Sequence, residues 1–403
     1  MSVIPEVKLK PGGEQRLLDG GSWVFRNELD LQQKDLAPGS WARLASPRGR
    51  PMAVGFLNTR AALSFRSLAR SGEFPGEEDP CAVIRARLRQ ALSLRQDLGL
   101  EPAARRLVFS EGDHLPGLVV DQFGEALVMQ LGAAGFEALK PWLAEELKAL
   151  TGCQALVERS EGPAREREGL EEKSGLLWSA PGFDAARLSR WAVAEQGLCF
   201  SADLLQGQKT GFFLDQRQTR ATLRSLARGR RCLDAFCHTG SLSIAMAAGG
   251  ASAVLGLDSS APALELARAN AQANGVADKV SFEAADCFER LRSMAKAGER
   301  FGLVLLDPPA MTKGKEGLEG ALRGYKELNL RALQMLEPGG MLATCSCTQA
   351  VDEERFLRQV SAAARDARVE IAETHLLRQP PDHPWIASMP ETRYLKAAFF
   401  RRS

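Results

Sequence analysis

The sequence predicts a multidomain α/β protein, on three observations. From about residue 230, short apolar runs alternate with segments of helical spacing, the pattern of a parallel sheet covered by helices. The first 72 residues instead break into brief extended runs between turn signals, and the stretch between these regions mixes helix and strand. The chain has 403 residues, enough for two to four domains. We divide it at 1–72, 73–185 and 186–403.

In the first region Lys10-Pro-Gly-Gly13, Asp19-Gly-Gly21, Ala37-Pro-Gly39 and Ser46-Pro-Arg-Gly49 are turn signals. Extended runs such as Met52–Leu57 lie between them. Eleven Lys and Arg (Lys8, Lys10, Arg16, Arg26, Lys34, Arg43, Arg48, Arg50, Arg60, Arg66, Arg70) stand against six acids (Glu6, Glu14, Asp19, Glu28, Asp30, Asp35). A small basic β-domain accounts for both features. Its charge suits a polyanion, or it is the solvated face of a structural module.

Arg70–Pro80, rich in Gly, Pro and acid, separates this module from the next. Cys81–Gly99 has helical apolar spacing, and 107–109, 117–121 and 126–131 are strand-like. Phe136–Leu150 again predicts a helix, and Glu158–Lys173 a charged loop. The result is an α+β domain without a motif that carries chemistry. His114, in Gly112-Asp-His-Leu-Pro116, is read as a turn residue.

The last region opens on the strand Arg231–Phe236, the loop Cys237-His-Thr-Gly240 and a helix from Ser241. The three glycines of a dinucleotide fingerprint are missing, as is a phosphate loop, so no pyrophosphate cradle exists. A ligand carrying adenosine without phosphate fits better. The second strand, Ala253–Asp258, ends on a carboxylate placed to accept from both ribose hydroxyls. The third, from Val280, leads to Asp286, within reach of an adenine amino group. A helix cap is the structural alternative for any one of these acids. The fourth, Gly302–Asp307, runs into Pro308-Pro309, which holds Asp307 extended at the tip and forms a wall for a planar base. A helix around Tyr325–Leu336 precedes Glu337-Pro-Gly-Gly340 and the strand Met341–Cys347. Strand period puts Cys345 and Cys347 on one face, Cys347 nearer the ligand edge. Arg368–Ala372 and Arg393–Phe400 form a closing hairpin of the kind found in methyltransferase sheets.

Composition excludes several classes. Hydrophobic residues make up 45% and charged residues 25%, unlike a disordered chain. No apolar run is long enough to span a membrane, and the start lacks a basic and apolar leader. The eight Cys contain no Cys-x-x-Cys and accompany four His, so neither a metal site nor a disulfide framework is expected. Cys232, Cys237 and Cys345 are read as buried hydrophobes. A reducing cytoplasm follows.

Asp234-Ala-Phe-Cys-His-Thr-Gly240, Asp258, Asp286 and Asp307-Pro-Pro309 resemble the motifs of class I (Rossmann-like) S-adenosylmethionine-dependent methyltransferases. Gly211-Phe-Phe-Leu-Asp-Gln-Arg217 resembles the extra motif of the bacterial 23S ribosomal RNA cytosine-C5 methyltransferases that carry an N-terminal PUA domain. The likeness includes Asp113-His-Leu-Pro-Gly117, Arg323-Gly-Tyr-Lys326 and Asp382-His-Pro384. It implies a PUA-like β-barrel that binds RNA at 1–72 and the cofactor S-adenosylmethionine. Asp215, Gln216, Asp234, Phe236, Gly240, Asp258, Asp286 and Asp307 would then line the cofactor, with Pro308 and Pro309 against the substrate base. The partner would be 23S ribosomal RNA or an assembling large subunit; a homodimer is left open.

The family's nucleophile is the Cys seven residues after the second Gly of its Gly-Gly pair, here Cys347. Carbon 5 of cytosine is a poor nucleophile until a thiolate adds to carbon 6. Asp307 would act on the ring nitrogen at position 3. Such a thiol needs positive potential, for which Lys209 and the bound sulfonium are candidates. Related enzymes carry a second Cys after Pro-Pro, where this chain has Ala310, so water and Asp307 both stay open as the base for the carbon-5 proton. Two rivals are N-methylation of a ribosomal RNA guanine, which needs no thiol, and a non-catalytic RNA-binding assembly factor.

Overall fold

The computed structural model describes residues 4–31, 36–100, 103–312 and 314–403. Lys34 and Asp35, counted in the charge above, lie outside the described residues, as do Met1–Val3. The chain forms two compact units. One comprises Met1–Val193, Ala202–Leu214 and Pro381–Thr392; the other comprises Ala194–Ser201, Asp215–Pro380 and Arg393–Ser403.

The first unit begins with β1 (Glu6–Leu9), α1 (Gln15–Leu18), β2 (Trp23–Phe25), β3 (Leu29–Asp30), β4 (Ser40–Ala45), β5 (Pro51–Leu57) and β6 (Leu63–Arg70). The strands form one sheet in the order β2-β6-β5-β4-β1-β3. Its outermost strands, β2 and β3, are joined only by the three-residue turn Arg26–Glu28, so the sheet must curl to bring its edges together. Val7, Leu9, Val24, Leu44, Leu57 and Phe65 fill the interior of this small barrel.

There follow α2 (Pro80–Asp97), β7 (Arg105–Phe109), β8 (Leu118–Phe123), β9 (Ala126–Leu131), α3 (Ala134–Ala138), α4 (Lys140–Thr151), β10 (Ala155–Ser160), α5 (Pro163–Glu168) and β11 (Lys173–Ser179). The sheet order is β11-β10-β9-β8-β7. Val54, Phe56 and Leu68 of the first sheet share a core with Ile84, Leu107, Val120, Phe136 and Leu156. That is why β5 is buried along nearly its whole length. Phe56 stacks edge-on against both Trp41 and Phe136, with ring centroids 5.4 and 5.0 Å away. A Cβ on Gly135 would come within 2.0 Å of the Phe56 ring, so glycine is required there.

Two expectations are corrected in this region. The helix over 136–150 is two helices, because Pro141 has no N–H to continue the turn begun at Ala134 and instead sits in the first turn of α4. Glu158–Lys173 is not a charged loop: it holds the end of β10, all of α5 and the start of β11. Three of its charges are buried partners of residues elsewhere in the chain. Glu158 pairs with Lys140 at 2.9 Å, Arg165 with Glu137 at 3.0 Å, and Glu168 with Arg66 at 2.8 Å. Composition alone cannot separate such buried pairs from solvated charge.

The two motifs at 113–117 and 382–384 meet in this unit. Arg95, 0% exposed, holds both carboxylate oxygens of Asp113 at 2.5 and 2.8 Å and the Asp382 carbonyl at 2.7 Å. The Asp382 carboxylate accepts from the Arg106 amide at 3.0 Å. His114 caps the preceding turn with φ +56°, the turn residue expected.

A hairpin, β12 (Trp191–Glu195) and β13 (Leu198–Ala202), leads to the second unit. The succession is α6 (Arg217–Leu226), β14 (Arg231–Ala235), α7 (Ser241–Ala248), β15 (Ala253–Asp258), α8 (Ala261–Ala273), β16 (Val280–Ala284), α9 (Cys287–Lys296), β17 (Phe301–Leu306), α10 (Leu318–Met335), β18 (Leu336–Ser346), α11 (Glu353–Ala367), β19 (Ile371–Leu377) and β20 (Lys396–Arg402). The sheet order is β16-β15-β14-β17-β18-β20-β19. The first five strands are mutually parallel, and β20 inserts antiparallel between β18 and β19. The order of the strands reverses at β14, with β15 on one side and β17 on the other, and this gives the crevice where open sheets bind ligands. Leu233, Leu257, Val304, Leu306, Leu333 and Leu342 anchor the core of this unit.

Four boundaries differ from expectation. Helix α10 begins at Leu318 and not near Tyr325. Glu337-Pro-Gly-Gly340 lies within β18 as an irregular stretch, visible as a register shift against β17. The closing strands start three residues later than expected, at Ile371 and Lys396.

Candidate active site

Apart from Lys209, the candidate side chains belong to the second unit, and all of these but Asp215 and Gln216 lie at or near the C-terminal ends of its parallel strands. Asp234 is in β14, Asp258 ends β15, Asp286 follows β16, Asp307 follows β17 and Cys347 follows β18. Register aligns these ends: Ala235 pairs with Leu257 and Leu306, and Asp258 with Ala284.

The loop after β14 is shaped by hydrogen bonds and by backbone conformations that side chains rarely adopt. Phe236 has φ +70° and His238 φ +49°. The amides of Phe236 and Cys237 donate to the Leu257 carbonyl at 2.8 and 2.9 Å. Gly240, with φ +76°, must be glycine because a Cβ would lie 2.8 Å from the Phe282 ring. The half-buried Phe236 ring meets Phe288 edge-on at 6.0 Å.

Each acid has a distinct setting. Asp258 accepts from the His238 amide and the Ser260 amide, both at 2.9 Å, which fixes its carboxylate while leaving a lone pair on each oxygen. Asp286 is exposed and caps α9 by accepting from the Glu289 amide at 3.0 Å, so the capping role weighed for these acids applies to it. Asp234 is wholly enclosed and accepts from Ser243 Oγ at 2.5 Å, tying β14 to α7. Burial lifts its pKa to about 7, with the Ser243 hydrogen bond opposing and Asp307 and Asp258 adding to the rise.

Asp307 Oδ2 accepts from Gln216 Nε2 at 2.8 Å. Asp215, beside Gln216 and buried like it, accepts from the Tyr394 hydroxyl at 2.7 Å. Pro308 is buried and Pro309 exposed, so the second ring presents the wall.

Cys347 is half-buried between two inward residues, Ser346 and Thr348. Thr348 Oγ1 meets the Tyr325 hydroxyl at 2.7 Å and accepts from the Met311 amide at 3.1 Å. One hydroxyl thus ties the segment carrying Cys347 both to α10 and to the loop after Pro309. Lys396, 5% exposed, donates from Nζ to the Thr348 carbonyl at 3.0 Å and the Val351 carbonyl at 2.8 Å. Lys209, the side chain expected to supply positive potential, belongs to the first unit, where its ammonium lies 4.5 Å over the Phe213 ring.

Cys232, Cys237 and Cys345 are buried as expected. Burial pushes the Cys232 thiol up to about 12 and raises those of Cys237 and Cys345. Three contributors escaped the sequence reading: Ser243, Tyr394 and Lys396. A signal for one existed. The chain has only two tyrosines, and both hydroxyls are hydrogen-bonded within this site.

The residues present fit S-adenosylmethionine. Carboxylates at successive strand ends offer acceptors for hydroxyl and amine donors, and their charge favours a cationic sulfonium over a phosphate. Among the described residues no cluster of His, Cys, Asp and Glu is arranged to hold a metal ion.

A seven-stranded sheet of this order, with acids and a cysteine at its ligand edge, is the sheet of a methyltransferase. A family model described as S-adenosylmethionine-dependent methyltransferase matches residues 178–401, and one for a PUA-like domain matches residues 7–70. The ribosomal RNA large subunit methyltransferase I of Cronobacter sakazakii is 35% identical over 394 residues, covering 96% of this chain and 97% of that protein. The protein of the same name from Shewanella denitrificans is 34% identical over 401 residues, covering 98% of each. A solved structure assigned as a SAM-dependent methyltransferase from Streptococcus mutans covers 99% of this chain and 100% of its own, with a TM-score of 0.82 and 18% identity. A second, SMU.776 in complex with SAH, has the same coverage with a TM-score of 0.84 and 18% identity. These two likenesses concern the fold. The chain belongs to the S-adenosylmethionine-dependent methyltransferases, in the family of the ribosomal RNA large subunit methyltransferase I.

Proposed function

We propose that the protein methylates carbon 5 of a cytosine in 23S ribosomal RNA, through a covalent bond between Cys347 and carbon 6. The observation that carries this reading is the succession of Asp307 and Cys347 directly after β17 and β18, neighbouring strands at the middle of the sheet. A thiol and a carboxylate on adjacent strand ends are what addition to a pyrimidine ring requires.

Asp258, Asp286 and the half-buried Phe236 would hold the adenosine end of S-adenosylmethionine, with Asp215 and Gln216 supporting the site. The cofactor, when bound, supplies a methyl group on a sulfonium. The Cys347 thiolate adds to carbon 6, and Asp307 holds a proton at ring nitrogen 3 as charge develops there. After carbon 5 has gained the methyl, water or Asp307 takes its proton, the bond between carbon 6 and Cys347 breaks, and the thiolate leaves as the ring double bond returns. Gln216 keeps Asp307 oriented, and Pro309 backs the base.

The PUA-like domain would bind the RNA. Lys8, Lys10, Arg26, Arg48, Arg50 and Arg60 are exposed on it, whereas Arg43 and Arg66 are drawn into ion pairs with Glu78 and Glu168. The division at 1–72, 73–185 and 186–403 belongs to the same reading, as do a cytoplasmic location, metal-free catalysis and a substrate that is either free RNA or an assembling large subunit. Among the described residues no helix is long and apolar enough to cross a membrane.

The test is trapping on 23S ribosomal RNA fragments that contain 5-fluorocytidine, whose fluorine cannot leave as the proton does. A stable adduct mapped to Cys347 supports the reading. No adduct, or methylation of guanine that survives Cys347→Ala, overturns it.

A further inference from the structure

We propose that Lys396 is the positioning residue of Cys347: its enclosed ammonium braces the backbone just after the thiol and favours the thiolate. The inference rests on the reading of Cys347 as nucleophile and supplies the positive charge that reading needs.

The geometry is specific. Lys396 opens β20 opposite Ser346, the residue before Cys347. From there its Nζ donates to the carbonyls of Thr348 and Val351, the first and fourth residues after the thiol. Two of its three N–H bonds are therefore spent on the turn that carries Cys347 out of the strand, and one remains for a further acceptor.

An ammonium at 5% exposure is costly unless it does something an apolar side chain could not. Bracing two carbonyls is half of an answer, since the charge itself needs a counter-charge. The groups facing the ammonium are Cys347, Asp352, Glu353 and Arg393. Burial brings its pKa down to about 8, with the first three opposing the fall and Arg393 adding to it. It is thus mainly charged at neutral pH. The groups facing Cys347 include Tyr325, Cys345 and Lys396, and Asp307 faces the first two of these as well. A carboxylate on the neighbouring strand end opposes a thiolate, and a cation beside the thiol offsets that opposition.

The test follows alkylation of Cys347 by iodoacetamide against pH in the full-length protein, read by peptide mass spectrometry, with the exposed Cys199 as internal reference. Lys396→Met should move the Cys347 profile toward alkaline pH by about one unit, roughly a tenfold slower reaction at pH 7, while Cys199 is unchanged. Lys396→Arg should restore most of the rate. Profiles for Lys396→Met and wild type that superimpose would overturn the proposal. Should Lys396→Met fail to fold, the reciprocal measurement remains. Amine labelling of Lys396 should gain its reactive form at lower pH in Cys347→Ser than in wild type, and an unmoved profile overturns the proposal. The 5-fluorocytidine adduct separates the two readings. An adduct at Cys347 with an unmoved alkylation profile sinks only the role of Lys396, whereas a moved profile without an adduct sinks only the nucleophile.

Discussion

Gln216 donates its side-chain amide to Asp307 at 2.8 Å across 91 residues of sequence. The contact joins the turn before α6 to the end of β17. A carboxylate that must meet a pyrimidine nitrogen in one orientation gains from such a fixed partner. Gln216→Ala should therefore lower single-turnover methylation by about tenfold with cofactor affinity nearly unchanged. Rapid quench with saturating S-adenosylmethionine measures it, and an unaltered rate would remove Gln216 from the site.

Cys347→Ala should abolish methylation. Cofactor affinity should stay within about threefold, under roughly 0.7 kcal/mol. Calorimetry with S-adenosylmethionine beside a methyl-incorporation assay decides. Loss of cofactor binding in this variant would make the residue structural.

Asp258→Ala should act the other way round. Removing it deletes the proposed ribose acceptor and frees the amides of His238 and Ser260. Cofactor affinity should fall by about 1–3 kcal/mol. Calorimetry showing wild-type affinity would count against the placement of the adenosine.

Asp234 makes a prediction about pH. Its folded pKa of about 7 lies above the ordinary 3.8, so between those values the folded protein holds a proton that the unfolded chain has released. Stability of the cofactor-free protein should thus fall as pH rises from about 4 to 7 and level off above. Asp234→Asn should flatten that decline, and Ser243→Ala, by removing the opposing hydrogen bond, should extend it to higher pH. Scanning calorimetry across pH 4–8 reads both. A wild-type profile retained in Asp234→Asn would assign the decline to other groups.

Exposed arginines of the barrel offer the last test. Substituting Arg48, Arg50 and Arg60 together by Gln should weaken binding to 23S ribosomal RNA. The dependence of log affinity on log salt should become shallower by about two to three units. Cofactor binding should not change. Filter binding between 50 and 200 mM salt would expose a face that never meets RNA as an unaltered slope.

Much of this architecture was legible because it is periodic or punctuated. Strands ending in Asp258 and Asp307 were bounded by an acid or by proline, and each was found within a residue of its expected end. Cys347 was legible as a candidate because it ends the strand beside Asp307-Pro-Pro309, whereas Asp234, inside its strand, was marked only by the family resemblance. What stayed hidden depends on partners distant in sequence. Glu158, Arg165 and Glu168 read as solvated charge because Lys140, Glu137 and Arg66 lie elsewhere along the chain. Lys396 read as an ordinary strand residue because nothing local marks a lysine that will be enclosed. Pro141 was visible, yet the apolar spacing on both sides of it suggested one helix where the missing N–H makes two.

The clasp between Arg95 and Asp382 also bears on how the polypeptide matures. Residues 381–392 complete a body whose other parts precede residue 215, so that body cannot close until synthesis has passed residue 392. A nascent chain halted at residue 380 would carry the buried guanidinium of Arg95 without its last acceptor. The amino-terminal half is therefore the part that waits, and the order of translation is not the order of completion.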